Sequence, residues 1–117
     1  MRGQSSTILV AAPNAAFRHS LVFALESDGF TVDAHAEATD AFASNGARDA
    51  ACAVVDDDAV ADWTLVSGQI DRFGRPVILL VGFLQTAPAL PFARFLMKPF
   101  LGEPLLKAVR DAVAGVL

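Results

Sequence analysis

Five short segments of the chain are apolar enough, or alternate regularly enough, to form β-strands. Three are apolar runs at 7–12, 51–55 and 76–81, a fourth at 92–97 is apolar except for Arg94, and the fifth, 30–35, alternates apolar with polar residues. The runs at 51–55 and 76–81 are typical of strands buried on both faces, whereas the alternation at 30–35 favours an edge strand. The pattern therefore predicts five strands, two of them fully buried.

The segments between these strands have the periodicity of amphipathic helices. Apolar residues recur every three or four positions in 15–28, 37–45 and 59–73, and again after Pro104, which can occupy the first turn of a helix. Asn14 offers a side-chain oxygen to cap the first of these helices. Each of the first three segments stops at a glycine, a residue that commonly ends helices: Gly29, Gly46 and Gly74.

Strands that alternate with helices predict an α/β domain whose mainly parallel sheet is covered by helices on both faces. We therefore expect one domain over residues 7–117, built as a doubly wound, five-stranded, three-layer sandwich. The crossover at 82–94 is the exception, because Pro88 and Pro91 would break any helix longer than one turn. This fourth crossover helix is expected to be shortened or missing. Folds of this kind place their functional groups at the carboxyl ends of the strands.

Composition and charge narrow the classes of function. Hydrophobic residues make up 54% of the chain and charged residues 19%, which is enough apolar surface for a packed core. The net charge is −4 and the Lys and Arg residues are scattered, so direct nucleic-acid binding is disfavoured. No apolar run is long enough to span a membrane and no signal-type segment precedes the first strand, so a cytoplasmic protein is expected. Cys52 is the sole cysteine, which excludes an internal disulfide and favours a small buried side chain.

The order and spacing of four segments resemble a known family. They are Ile8-Leu9-Val10, Val54-Val55-Asp56, Pro76-Val77-Ile78-Leu79-Leu80 and Phe95-Leu96-Met97-Lys98-Pro99-Phe100. The fourth is the most specific, because it stands ahead of a terminal amphipathic helix. From residue 8 to about residue 113 the chain resembles the receiver domain of two-component response regulators, which has a flavodoxin-like fold. The resemblance implies a signal-transduction protein whose partners are signalling proteins, such as a histidine kinase or an output protein.

The resemblance places the phospho-acceptor of that family at Asp56. In receivers, two acidic side chains after the first strand hold Mg²⁺, which neutralises charge while the acceptor attacks phosphorus. The corresponding positions here are Ala12 and Pro13, whose side chains cannot ligate a cation. A bound metal supplies several kcal/mol of charge stabilisation to the transition state, and each loss of roughly 1.4 kcal/mol slows the reaction about tenfold. Phosphorylation is therefore expected to be weak or absent. No cofactor is expected, and Mg²⁺ would be needed only if Asp56 is phosphorylated.

Four further pocket residues follow from the resemblance. Val81 stands where the family has a hydroxyl residue that hydrogen-bonds the phosphoryl group, and Phe95 stands where it has the aromatic that moves with that residue. Lys98, followed by Pro99, corresponds to the cation that pairs with a phosphoryl oxygen or with the acceptor carboxylate. An ion pair between Asp56 and Lys98 that holds two strand ends together is favoured over a working acceptor.

Asp56, Asp57 and Asp58 are consecutive acids that could rescue weak cation binding. Three consecutive side chains are expected to point in different directions in a solvated turn, whereas Mg²⁺ needs oxygens that converge. No metal site is therefore expected, and Asp56 and Asp58 stay as weak candidates.

The altered crossover is rich in large apolar residues, namely Phe83, Leu84, Leu90 and Phe92. If a short crossover cannot bury them, they form an exposed patch of the kind that marks protein interfaces, including a homodimer interface. The alternative is that they fold back over the sheet as a lid. The sequence leaves both open.

Three hypotheses for function follow. The favoured one is a degenerate receiver, or pseudo-receiver, that acts as a protein-interaction and regulatory module without being an enzyme; no nucleophile elbow and no glycine-rich phosphate loop is present. The second is a working receiver that a histidine kinase phosphorylates on Asp56. The third is a small-ligand-binding domain that uses the vacated pocket around Ala12, Val81 and Phe95.

Overall fold

The structure is a computed structural model that describes residues 6–81, 93–97 and 103–115, with only the backbone described for 93–97. Five strands form one parallel sheet in the order β2-β1-β3-β4-β5. Their bounds are β1 (Thr7–Ala11), β2 (Thr31–His35), β3 (Ala50–Asp56), β4 (Val77–Val81) and β5 (Ala93–Met97). The predicted α/β class and parallel sheet are confirmed, and β2 lies at the edge of the sheet as its alternation indicates.

Five α-helices accompany the strands, and the first begins and ends where the sequence predicts. The helices are α1 (Ala15–Ser27), α2 (Ala38–Ala43), α3 (Gly46–Asp49), α4 (Trp63–Phe73) and α5 (Glu103–Ala114). Asn14 caps α1, because its Oδ1 accepts a hydrogen bond of 2.9 Å from the amide of Phe17. Gly29 follows α1 with a φ of 96°, a left-handed conformation that glycine adopts without strain.

The short helix predicted at 37–45 is present as α2, but its predicted end at Gly46 is wrong, because α2 ends at Ala43 and Gly46 begins α3. Gly46 is needed for packing: a Cβ at this position would overlap Oδ2 of Asp33 on β2. Ser44 stands between the two helices, and its hydroxyl donates to the Ala41 carbonyl at 2.7 Å and to Asp33 Oδ2 at 3.2 Å. A glycine that makes room for a close contact with β2 therefore gives the same sequence pattern as a glycine that ends a helix.

The helix predicted at 59–73 begins later than expected. Residues Asp57–Ala59 form a 3₁₀ turn, and α4 begins at Trp63. Asp62 caps α4, because its Oδ1 accepts hydrogen bonds from the amides of Thr64 and Leu65. The helix ends at Gly74 with a φ of 66°, as predicted.

Helices cover both faces of the sheet, so the domain is doubly wound. Alternate residues of β1, β3 and β4 enter opposite cores. In β1, Leu9 packs with α2, α3 and α4, whereas Ile8 packs with α1 and α5. Leu21 and Leu25 of α1 are fully buried, and each such burial stabilises the fold by about 1.5–3 kcal/mol. Cys52 is buried as predicted. Among the described helices, none combines the length and the apolar character that a membrane crossing requires.

Candidate functional site

Asp56 lies at the carboxyl edge of the sheet, where the sequence places it. It is the last residue of β3 and pairs in register with Leu80 of β4, one position before that strand ends. Its side chain is 3% exposed, and its Oδ1 accepts a hydrogen bond of 3.0 Å from the amide of Asp58. This bond caps the 3₁₀ turn that follows the strand. One oxygen of the candidate acceptor therefore has a structural role in the turn.

The three consecutive acids converge, so the prediction that they point in different directions in a solvated turn is wrong. One carboxylate oxygen from each of Asp56, Asp57 and Asp58 lies within 4.8 Å of the others. Asp57 is buried with Asp56, and only Asp58 is exposed. The reason is the 3₁₀ turn, which folds the backbone back over Asp56. Carboxylate oxygens are ligands that Mg²⁺ accepts, so these residues fit part of the coordination shell of a hard cation.

The loop after β1 holds the two residues that replace the acidic pair. Ala12 is fully buried, and its amide donates a hydrogen bond of 2.9 Å to the carbonyl of His35. Its carbonyl accepts a hydrogen bond of 2.8 Å from Nη1 of Arg18, which also reaches the Pro13 carbonyl at 3.4 Å. Both backbone polar groups of Ala12 are thus satisfied within the protein. The loop carries a guanidinium cation against its carbonyl oxygens.

Sequence reasoning missed Arg18, although a signal for it exists. Arg18 is the fourth residue of α1, and the loop that it contacts lies five and six residues earlier. A long cationic side chain in the first turns of a helix can fold back over the preceding loop. The replacement of two acids by Ala12 and Pro13 is therefore accompanied by a positive charge on the same loop.

The remaining predicted site residues are only partly described. Val81 is half-buried at the end of β4, and Phe95 lies in β5 in register with Leu79. Neither the side chain of Phe95 nor any contact of it is described. The following predicted residues lie outside the described residues, so their roles stay predictions: Lys98, Pro99, Phe83, Leu84, Leu90 and Phe92. The same applies to most of the crossover at 82–94.

The strand order and the position of Asp56 define a class of protein. A parallel sheet in the order 2-1-3-4-5, wound on both faces, is the flavodoxin-like arrangement, and its functional groups lie outside the carboxyl ends of the strands. A buried aspartate ends the central strand of this sheet. This is the architecture of a receiver domain.

Comparison with solved structures supports the same fold. The chain is similar to a response regulator receiver domain protein from Clostridium thermocellum, with a TM-score of 0.79, 20% identity, and 94% of this chain and 95% of that one covered. It is similar to a response regulator receiver protein from Sinorhizobium medicae WSM419, with a TM-score of 0.77, 20% identity, and 97% and 98% covered. It is also similar to the chemotaxis protein CheY4 of Vibrio cholerae, with a TM-score of 0.73 and 18% identity, and the match covers 93% of this chain and 99% of that one.

Comparison with curated proteins shows the family. The chain is 34% identical over 111 residues to the transcriptional regulator protein FixT of Rhizobium meliloti (strain 1021), with 93% of this chain and 94% of FixT covered. No family model matches the chain. On the relationship with FixT and the receiver fold, the chain belongs to the response regulator receiver family.

Proposed function

We propose that this receiver-family protein is a regulatory protein-interaction module in which Asp56 is phosphorylated slowly or not at all. The observation that carries the proposal is the state of Ala12, which is fully buried, offers no carboxylate, and has both backbone polar groups engaged by His35 and Arg18. A divalent cation at this loop would lack its two acidic ligands. It would also meet the charge of the Arg18 guanidinium, which repels it.

The environment of Asp56 gives a second, separate reason to expect slow phosphorylation. A phosphoryl donor must reach a carboxylate oxygen in line with the bond that breaks. The Asp56 side chain is 3% exposed, and its Oδ1 already accepts the Asp58 amide. Val81 at the end of β4 has no hydroxyl to hold a phosphoryl group. Inefficient transfer follows from poor access combined with missing stabilisation of charge.

The proposed action is binding rather than catalysis. FixT is a transcriptional regulator protein, and we extend a regulatory role of that general kind to this chain. The partners would be signalling proteins, such as a histidine kinase or an output protein, with a homodimer as an alternative assembly. A cytoplasmic location accords with such partners.

Intact mass measurement after incubation with acetyl phosphate and Mg²⁺ tests this proposal. We expect no phosphate on the wild-type chain, or a trace that does not increase with Mg²⁺ concentration. Asp56→Asn is the matched control, because an amide Oδ1 can still accept the Asp58 amide while the nucleophile is lost. A stoichiometric mass increase in the wild type that Asp56→Asn abolishes would overturn the proposal.

A working phospho-acceptor is the second candidate, and one observation favours it. The convergent oxygens of Asp56, Asp57 and Asp58 could hold a cation without help from the loop after β1. Under this alternative, phosphate uptake depends on Mg²⁺ and is lost in Asp58→Asn, which removes the charge of the exposed member. Under the favoured proposal, Asp58→Asn changes nothing in the mass experiment.

A further inference from the structure

A cavity of about 370 Å³ opens between α2, α3 and the carboxyl-terminal half of α4. Its wall includes Phe42, Gln69, Phe73 and three arginines, Arg48, Arg72 and Arg75. It lies at the opposite edge of the sheet from Asp56, because Arg75 binds the carbonyl of Ala50, the first residue of β3, and Asp56 is the last. Six residues of extended strand separate these ends by about 20 Å. The cavity is therefore distinct from the candidate phospho-acceptor site.

The fold gathers positive charge at this cavity. Three of the nine Lys and Arg residues of an acidic chain line it. Arg72 and Arg75 lie 24 and 27 positions after Arg48 in the sequence, so folding brings them together. Among the described residues, no acidic side chain lines the cavity and no carboxylate pairs with any of the three guanidiniums. Asp49 and Asp71 are their sequence neighbours but do not form its wall. The local charge is therefore positive within a chain of net charge −4.

Arg75 is fixed, whereas the other two arginines are exposed. The Arg75 guanidinium donates to the carbonyls of Ala47, Arg48 and Ala50 at 2.6–3.0 Å, and its carbon lies 4.2 Å from the centre of the Phe73 ring. Because its partners are neutral carbonyls, its charge is not cancelled. Arg48 and Arg72 lie at the surface, where their donors are available to a ligand. Their guanidiniums match carboxylate and phosphate groups in geometry.

The rest of the wall suits the body of a small organic molecule. Phe42 and Phe73 pack edge to face with their ring centres 5.4 Å apart. Gln69 is tethered through Nε2 to the Thr39 carbonyl at 3.3 Å, and among the described residues its buried Oε1 has no hydrogen-bond partner. The wall thus presents an aromatic surface beside the arginines. The volume of the cavity falls in the range of metabolite sites.

From this arrangement we propose that the cavity binds an organic anion of metabolite size, whose carboxylate or phosphate pairs with Arg48 and Arg72 and whose planar body contacts Phe42 and Phe73. The site is independent of Asp56, so it does not depend on whether Asp56 is phosphorylated.

Calorimetric titration of the intact chain tests the proposal with three probes. Adenosine monophosphate combines a phosphate with the planar adenine base, and phenylpyruvate combines a carboxylate with a planar phenyl ring. Inorganic phosphate carries negative charge without a planar group. We expect one of the two organic probes to bind saturably and at least tenfold more tightly than inorganic phosphate. Which of them binds identifies the anionic group. If neither saturates below about 10 mM, the proposal is wrong.

Arginine variants locate the binding. Arg48→Gln and Arg72→Gln should each lower the affinity for the organic probe by about tenfold, because each removes a charge-assisted pairing. Lys107→Gln is the matched control: it removes one positive charge from an exposed residue of α5, on the other face of the sheet. Its effect should be less than twofold. Equal weakening by Lys107→Gln and the arginine variants would show non-specific attraction and overturn the proposal.

Discussion

Arg110 of α5 donates two hydrogen bonds to the carboxylate of Asp28, the residue that follows α1. The distances are 2.8 Å from Nε to Oδ2 and 2.7 Å from Nη2 to Oδ1, a bidentate pairing between residues 82 positions apart. The helices that it joins lie on the same face of the sheet. Nη1 of Arg110 also donates to Glu103 at 3.3 Å. The amino-terminal and carboxyl-terminal helices are thus connected by one guanidinium.

This pairing predicts how stability depends on pH. The hydrogen bonds from Arg110 hold the pKa of Asp28 below its ordinary value of 3.8, against an opposing effect of burial. The folded state therefore favours the ionised carboxylate. The contribution is fully present above the unfolded pKa of about 3.8 and is lost as the pH falls through the lower folded pKa.

Urea unfolding at pH 7 and pH 3 checks the prediction. Asp28→Asn should lower the unfolding midpoint at pH 7, modestly because the pair is partly solvated, and the difference from the wild type should shrink at pH 3. Glu26→Gln is the control, since Glu26 is an exposed acid on the same helix. An equal difference at both pH values would contradict the assignment of the effect to ionised Asp28.

Two glycines predict opposite effects of the same substitution. Gly46→Ala places a methyl group against Oδ2 of Asp33 and 2.7 Å from its Cγ, so this change should destabilise the protein by about 1–3 kcal/mol. Gly68→Ala lies inside α4, where the neighbour that the added methyl group meets among the described residues is Nη1 of Arg72, at an ordinary contact distance of 3.6 Å. It should stabilise the protein by about 0.5–1 kcal/mol, because alanine loses less backbone entropy in a helix.

The free energy of unfolding in urea distinguishes the two variants. Local helix propensity alone would predict that both substitutions stabilise the protein, since both positions are helical. A gain in Gly46→Ala would therefore show that Asp33 moves aside at little cost. It would contradict the close contact as the reason for glycine.

The features that the sequence predicts well are those encoded by near neighbours. The Asn14 cap, the ends at Gly29 and Gly74, and the buried run before Asp56 each depend on residues within one turn or one strand. The Gly46 contact depends instead on Asp33, which is thirteen positions earlier and on another element. A local pattern cannot separate a glycine that ends a helix from one that makes room for a neighbouring strand.

The candidate site divides in the same way. Alignment of segments places Asp56, Ala12 and Val81 at the ends of their strands, where the structure has them. It does not predict that Arg18 folds back onto Ala12, because that contact depends on the rotamer of a long side chain. The sequence does not predict the cluster of arginines at the cavity either, since charges that are scattered along the chain become neighbours only after the helices pack.

Cys52 predicts chemical protection in the folded state. Burial raises the pKa of its thiol from 9.0 to about 12, so about a thousandfold less of the reactive thiolate forms at a given pH below 9. A disulfide reagent should label the folded protein only as fast as it unfolds. The stability gained from keeping this thiol neutral is complete below about pH 9 and is lost as the pH rises toward the folded pKa.

Labelling with and without urea measures this effect, and Ser27→Cys provides an exposed thiol on α1 for comparison. We expect fast labelling of the introduced cysteine in native buffer and labelling of Cys52 only on unfolding. Rapid native labelling of Cys52 in the wild type would show that β3 opens locally.

Restoring the acidic pair should restore phosphorylation if its loss is the cause of inefficiency. In Ala12→Asp/Pro13→Asp, two carboxylates follow β1 beside the buried Asp56, and a divalent cation gains oxygen ligands. The initial rate of phosphate uptake from acetyl phosphate should increase at least about tenfold and should depend on Mg²⁺, since a metal supplies several kcal/mol of charge stabilisation. Intact mass spectrometry follows the rate, with thermal unfolding to confirm that the variant folds.

Two controls decide the cause. Adding Asp56→Asn to the double variant should abolish uptake, which shows that the restored site acts through this carboxylate. Arg18→Gln in the double variant should increase Mg²⁺ affinity further, because it removes a cation from the carbonyls of the same loop. If the double variant folds and binds Mg²⁺ by calorimetry but takes up phosphate no faster than the wild type, limited access to buried Asp56, rather than the missing carboxylates, is what prevents phosphorylation.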